Sequence, residues 1–415
     1  MSPEQTSPAP AGFNHDLVTL IITTSPTPSA PSTELIESVL RSFGVYCPPL
    51  LKCRVILAID TYDHITEQAR LKKGVVTPEF AKQFDLYKEN AKNLLLREYA
   101  PLPAGESHEL VVSSAEAEFG SNSFVYLKQN NSVPYTITQT QDKRVTFIEP
   151  QQRLGFGLAV RSALRLTETP YVWVHQHDWA MVADIPFGPL LELMREADAS
   201  EAQSLEDVEF EEKPKQPKLA PIKYICLPSV RMLNYATSDH VLPFHALRNL
   251  TNKLKQNFIP LSSSPLPNIT DGTTAGNETK TASIPLTPLF LWHDKPHLAS
   301  TEHYLQRVFP NRMAMLRGAF IEDTVGHRAR SQMKEGNWKK WACWLYYPDD
   351  GKKLCLRHLK GRTFRGTEVE LAKKMEWLQL KSSVSEPEPE ETELEETEPE
   401  IELEETEPGE TELQN

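Results

Sequence analysis

Histidines and carboxylates, the side chains that bind metals and move protons, gather at four places in this chain of 415 residues. His175, His177 and Asp178 stand together in YVWVHQHDW, and His293, Asp294, His297 and His303 follow in LFLWHDKPHLASTEHY. Glu322 and Asp323 are adjacent in GAFIEDTVGHR, and His358 lies in CLRHLKGR. Carboxylate oxygens suit Mg²⁺, while imidazole suits Mn²⁺ or zinc-like ions, so the first group could hold a divalent cation. The second group, completed by His175 and His177, has the make-up of a metal-dependent hydrolase centre. Each group also has a plainer reading. Glu322 and Asp323 suit the first turn of a helix, where the dipole favours acids. Asp60 and Asp63 suit a strand end and turn, Arg161 suits a helix surface, and the His293–His303 stretch suits a packed loop and helix start.

The elements around the first group set where it stands. Leu158, Ala159, Ser162, Ala163 and Leu166 recur at helical spacing, and Thr169-Pro170 stops that helix. Tyr171–Val174 is short, aromatic and β-branched, as a buried strand is. Its end carries His175, His177 and Asp178, and ligands of open α/β sheets bind beyond the carboxyl ends of strands. Further strands are predicted at Leu17–Ile22, Cys53–Ile59, Glu109–Ser113, Arg144–Ile148 and Lys223–Leu227. Helices are predicted at Thr33–Phe43, Phe80–Tyr99 and Pro189–Ala197. Strand, helix, strand in this rhythm predicts an α/β protein with a mainly parallel central sheet flanked by helices.

The order of these segments resembles the glycosyltransferase family 2 group, whose catalytic domain is a GT-A fold. Three stretches carry the likeness: LVTLIITTS, RLGFGLAVRSALRLTETPYVWVHQHD and GAFIEDTVGHR, within about residues 16–365. The resemblance implies a nucleotide-diphospho-sugar transferase that passes a sugar to a hydroxyl acceptor with inversion. It implies that Thr23, Thr24 and Asp60 border the nucleoside, and that Arg153 and Arg161, from the glycine-bearing loop and its helix, approach the diphosphate. Asp178 then matches the metal-binding acidic motif for Mn²⁺ or Mg²⁺, with His177, His175 and His358 as further metal or phosphate contacts. Asp323 matches the general base, with Glu322 beside it, and Trp292, His293 and Asp294 fall on the acceptor side. One departure is chemical: Gln176 and His177 stand where the family usually has aspartates. A glycosyltransferase-like interaction protein without catalysis and a metal-dependent hydrolase are the competing functions.

Composition bounds the rest. The formal charge is −13, yet 15 acids and no Lys or Arg lie in Glu386–Asn415, leaving 44 basic against 42 acidic groups elsewhere. That balance gives no concentrated basic surface for nucleic acid. The five cysteines show no CxxC spacing and read as reduced thiols. With no signal-like N-terminus and no apolar run of membrane-spanning length, the chain is expected to be cytoplasmic, with its sequons unmodified. Residues 1–15 and the acidic tail 385–415 are expected to be disordered, the tail being a solubilising extension or a lure for a basic partner. Between them the sequence suggests a nucleotide-sugar-binding half (16–200), a charged linker (201–221) and an acceptor-side half (222–380) carrying a mobile loop (261–283).

Overall fold

A computed structural model describes residues 15–103, 105–120, 131–206, 219–260 and 283–383. The acidic tail, the residues before 15 and all but the last residue of the 261–283 loop lie outside them.

The chain runs β1 (Val18–Thr24), α1 (Glu34–Tyr46), β2 (Arg54–Ile59), the two-residue strands β3 (His64–Ile65) and β4 (Val75–Val76), then α2 (Pro78–Tyr99). There follow β5 (Leu110–Glu118), β6 (Ser132–Thr140), β7 (Val145–Pro150), α3 (Phe156–Leu166), β8 (Tyr171–Gln176), β9 (Trp179–Met181) and α4 (Phe187–Glu206). The later part gives β10 (Tyr224–Cys226), α5 (His245–Leu254), β11 (Gln256–Phe258), β12 (Ile284–Pro288), β13 (His297–Ser300) and a one-turn α6 (Thr301–His303). It ends with α7 (His327–Gln332), β14 (Cys343–Tyr346), β15 (Leu356–His358) and α8 (Thr367–Ser383).

Eleven strands form one sheet in the order β11-β12-β14-β10-β13-β8-β1-β2-β7-β6-β5. Its centre, β8-β1-β2-β7, is parallel throughout. Both flanks are not: β6 and β5 are antiparallel beyond β7, and β13 is antiparallel to both β8 and β10. The architecture is therefore α/β with a mixed sheet, a correction to the mainly parallel expectation. On the β7 side the cause is local. Only four residues join β6 to β7; Lys143 takes a left-handed φ of 56° and Asp142 accepts a hydrogen bond from the Arg144 amide, a tight turn that can only reverse the chain. β6 itself was hidden in the sequence. Val133, Tyr135 and Ile137 point inward with period two, but Pro134 interrupts the run and argues against a paired strand.

Burial explains the centre. Every residue of β1 is buried and all but Gln176 of β8, as for parallel strands covered on both faces. Helix α1 turns Leu35, Ile36, Val39, Leu40 and Phe43 onto the sheet. Helix α3 is more enclosed still, buried from Phe156 through Leu164. Helix α4 runs to Glu206, nine residues beyond Ala197 and into the segment expected to be linker. The two expected halves share the one sheet, and the described residues up to Thr367 form a single compact unit. A second unit begins at Glu368 and holds most of α8, in which Glu370 pairs with Lys373 at 2.8 Å. Among the described residues no helix is long and apolar enough to cross a membrane. All five cysteines are buried free thiols.

Candidate functional site

The parallel centre reads β7-β2-β1-β8, so the chain winds to one side of β1 and then returns to the other. Strand order reverses between β1 and β8, and crevices at such a reversal, beyond the carboxyl ends of the strands, are where open α/β sheets bind ligands. Register puts Thr24 opposite Ile59 and Thr23 opposite Gln176, so Thr23, Thr24, Asp60 and His177 occupy this one edge. Backbone bonds join them: the Asp60 amide donates to Thr24 O at 2.8 Å and the His177 amide to Thr23 O at 2.9 Å.

Asp178 follows His177 at the β8 side of this edge. Its Oδ2 is 3.0 Å from His358 Nε2 and accepts the Gly361 amide at 3.2 Å, while its buried Oδ1 has no partner among the described residues. The loop after β15 is fastened there by Leu359 N to Asp178 O at 2.6 Å and Thr27 Oγ1 to Gly361 O at 2.8 Å. Burial pushes the Asp178 carboxyl up, but the His358 bond, the neighbouring imidazoles and the Gly361 amide outweigh it, so the group stays below its ordinary value. Gly361 is a glycine for want of room, because a Cβ there would sit 2.9 Å from Asp178 Oδ2 and 3.1 Å from His177 Nε2. The His358 ring also packs on Trp179, with centroids 4.7 Å apart.

Asp60 binds protein, not solvent. Its carboxylate accepts the Leu154 amide at 2.6 Å and the Gly155 amide at 2.9 Å, holding the loop that opens α3. Burial pushes its pKa up to about 6, against the pull of those amides and of the Arg153 charge. Gly155 has a left-handed φ of 78°, and a Cβ on it would come 2.5 Å from the Gly318 Cα. The glycines of RLGFG thus let a later segment dock: Gly318 N donates to Leu154 O at 2.7 Å and Gly157 N to Ala319 O at 3.1 Å. Arg317 follows with a 2.6 Å bond to Asp63.

That docking delivers Glu322 and Asp323. Glu322 and Asp294 grip each other reciprocally: the Glu322 amide donates to Asp294 Oδ1, and the Asp294 amide donates to Glu322 Oε2, each at 3.2 Å. Gln176 closes the circuit from the end of β8, giving its side-chain amide to Asp294 O at 2.9 Å. His293 Nδ1 lies 3.1 Å from Glu322 Oε1, an ion-pair distance without the alignment of a hydrogen bond. The two carboxyls are driven apart. Burial, with the Glu322 and Asp323 charges, raises Asp294 well above its ordinary value. Burial also pushes Glu322 upward, but His293, Lys295 and the Asp294 amide bring it down to about 2. Asp323 is exposed.

Three expected contacts lie elsewhere. His175 is fully buried; its Nε2 is 2.6 Å from Trp179 O, and its Nδ1 accepts from Trp173 Nε1 at 3.3 Å. Both nitrogens are engaged, and the ring serves the core against Phe43. Arg161 is also buried, with Glu118 at 3.6 Å as its ion-pair partner, beyond β7 and away from the β1–β8 edge. Trp292 is wholly enclosed among Tyr224, Tyr304 and Trp341, so it offers no face to a sugar. His297 packs in the same aromatic cluster. Among the described residues no three His, Cys, Asp or Glu side chains converge to hold a metal by themselves.

Sequence reasoning missed Tyr87 and Gly361. Tyr87 OH is 2.5 Å from Thr24 Oγ1, which is 2.6 Å from His177 Nδ1. In α2 it reads as one more aromatic on a buried face. Gly361 stands in CLRHLKGR, three residues after His358, and that proximity was the available signal. Compared with known proteins, the chain matches no family model and no curated sequence.

Proposed function

We propose that this chain is a GT-A-type glycosyltransferase, resembling family 2, that moves a sugar from a nucleotide diphosphate to a hydroxyl acceptor with inversion. One observation carries the reading: Asp60, Asp178 and the Asp294–Glu322 pair, far apart in sequence, are linked side by side along the strand ends where the order reverses.

The residues suit the roles. Asp178 Oδ1 is a buried carboxylate oxygen without a partner, and a hard cation that takes one or two protein carboxylates and completes its shell with phosphate oxygens and water fits there. Mn²⁺ or Mg²⁺, when bound, would neutralise charge on the departing diphosphate. His358 and Gly361 hold the other Asp178 oxygen and so fix the carboxylate. On the acceptor side, the hydroxyl oxygen forms the new bond to the anomeric carbon while the bond to the diphosphate breaks. Exposed Asp323 takes the hydroxyl proton. Asp294, buried and bound to the Glu322 amide, is unsuited to that task and instead positions Glu322. The five buried thiols support a cytoplasmic setting.

Calorimetric titration of the full chain with UDP and GDP, with and without Mn²⁺, tests this. Binding of at least one of them in the presence of Mn²⁺ is expected, and no heat with either would remove the reading. Asp178→Asn should weaken metal-dependent binding about tenfold or more, in line with loss of a metal contact. Asp323→Asn should leave binding intact and cut turnover by roughly 10²–10⁴-fold.

A further inference from the structure

The hydrogens of the buried chain Tyr87–Thr24–His177 can be assigned by counting. Tyr87 is fully buried, and Thr24 Oγ1 is the only partner of its hydroxyl among the described residues. The Tyr87 proton therefore points at Thr24 Oγ1. Thr24 is itself buried, and its hydroxyl proton then has one acceptor left, His177 Nδ1 at 2.6 Å. The reverse direction, with Nδ1–H donating to Thr24 and Thr24 to Tyr87, would leave the phenol proton unsatisfied in the core, a loss that buried hydroxyls rarely bear. A neutral imidazole whose Nδ1 accepts must carry its proton on Nε2.

We propose that Tyr87 and Thr24 hold His177 as its Nε2–H tautomer, so that it meets the ligand as an oriented hydrogen-bond donor to an anionic oxygen, not as a metal ligand. His177 Nε2 and Asp178 Oδ2 both pack against the bare Cα of Gly361, where a Cβ would come 3.1 Å from the one and 2.9 Å from the other, so the two groups are near neighbours at the strand ends. A protonated nitrogen has no lone pair for a cation, whereas the idle Oδ1 of Asp178 does. Metal and donor functions are thereby divided between neighbouring residues 177 and 178. Tyr87 and Thr24 are positioning residues that act through His177. The inference deepens the transferase reading by naming a group that would hold a phosphate oxygen, but the tautomer can be measured without nucleotide.

The test is long-range ¹H–¹⁵N correlation NMR of the full chain labelled at histidine nitrogens, with His177 assigned by the signal lost in His177→Asn. Wild type is expected to show an unprotonated Nδ1 and a protonated Nε2. Thr24→Val keeps a β-branched residue in the strand but removes the hydroxyl, and should shift His177 toward the other tautomer or a mixture. Thr24→Ser should restore the wild-type pattern. Added pyrophosphate, without metal, should move the Nε2–H resonance downfield. An Nδ1–H pattern in wild type, an unchanged pattern in Thr24→Val, or loss of the Nε2 proton on adding Zn²⁺ would each overturn the proposal. The wild-type spectrum decides even if a variant fails to fold, and it stands whatever the calorimetry with UDP and GDP returns.

Discussion

Asp178 is satisfied on one oxygen and idle on the other, and the loop at Gly361 keeps it so. Gly361→Ala tests how closely that loop must approach. The added methyl meets Asp178 Cβ and Oδ2 at 2.9 Å, so something has to shift. Overpacking of this kind costs about 1–3 kcal/mol. Urea denaturation should register that loss, and nucleotide binding should weaken more than tenfold because Asp178 and His177 are the groups displaced. Much of this neighbourhood was legible in the residues themselves. His177 and Asp178 were grouped by chemical type and by their place after a strand, His358 was joined to them only through the family resemblance, and the fold brings His358 within 3.0 Å of Asp178. His175 and Trp292 were not distinguishable from them, because ligand-type and core-type imidazoles and indoles share a sequence signature and differ only in what the tertiary structure packs against each. Arg161 misleads for a related reason: a helix arginine is ordinarily solvated, and here it is buried, 3.6 Å from the half-exposed Glu118 on a strand the sequence placed only in part.

At the scale of elements, the joint between the start of α3 and the segment carrying Gly318 decides whether Glu322 reaches the strand ends. Gly155→Ala should break it. The backbone there is left-handed and the methyl would lie 2.5 Å from the Gly318 Cα, so a loss of about 2–4 kcal/mol is expected in equilibrium unfolding. Asp60 holds the same joint from below, at a pH-dependent cost. Its pKa rises from 3.8 to about 6 on folding, so its stabilising influence is complete below pH 4 and is lost as the pH climbs through 6. Two pH units correspond to about 3 kcal/mol. Asp60→Asn cannot ionise, and its stability relative to wild type should improve by roughly 2–3 kcal/mol between pH 4 and pH 7. An unchanged difference would show that Asp60 is not carried above the usual carboxylate range. Among elements, the central strands and α1 to α3 followed from apolar runs and helical spacing. The antiparallel flanks did not, since a run such as Lys223–Leu227 states that a strand exists but not which neighbour it chooses.

For the whole molecule, buried histidines set the acid limit. His175 and His303 are brought down to about 4 and His297 to about 3, in each case first by burial. Their folded values lie below the ordinary 6.5, so the stability they confer is present above that pH and is lost as the pH falls through 4. Glu322, depressed to about 2, adds a loss below pH 4.5. Asp60 and Asp294 act in the opposite sense, but the depressed groups outnumber them. Scanning calorimetry should therefore find the melting temperature falling by roughly 10 °C or more between pH 7 and pH 4.5. A flat profile would mean that these rings are not enclosed as described.

The position of β1 has a consequence for synthesis. Thr19 pairs on one side with Arg54 and on the other with Val172, so one edge of this wholly buried strand waits while some 150 further residues are made. At ribosomal speeds of 5–20 residues per second that interval is about 8–30 s. Throughout it, a nascent chain already holding β1 and β2 carries a sticky, unpaired edge. Ribosome-stalled chains ending before Tyr171 should accordingly recruit holdase chaperones, and those long enough to extrude β8 should shed them.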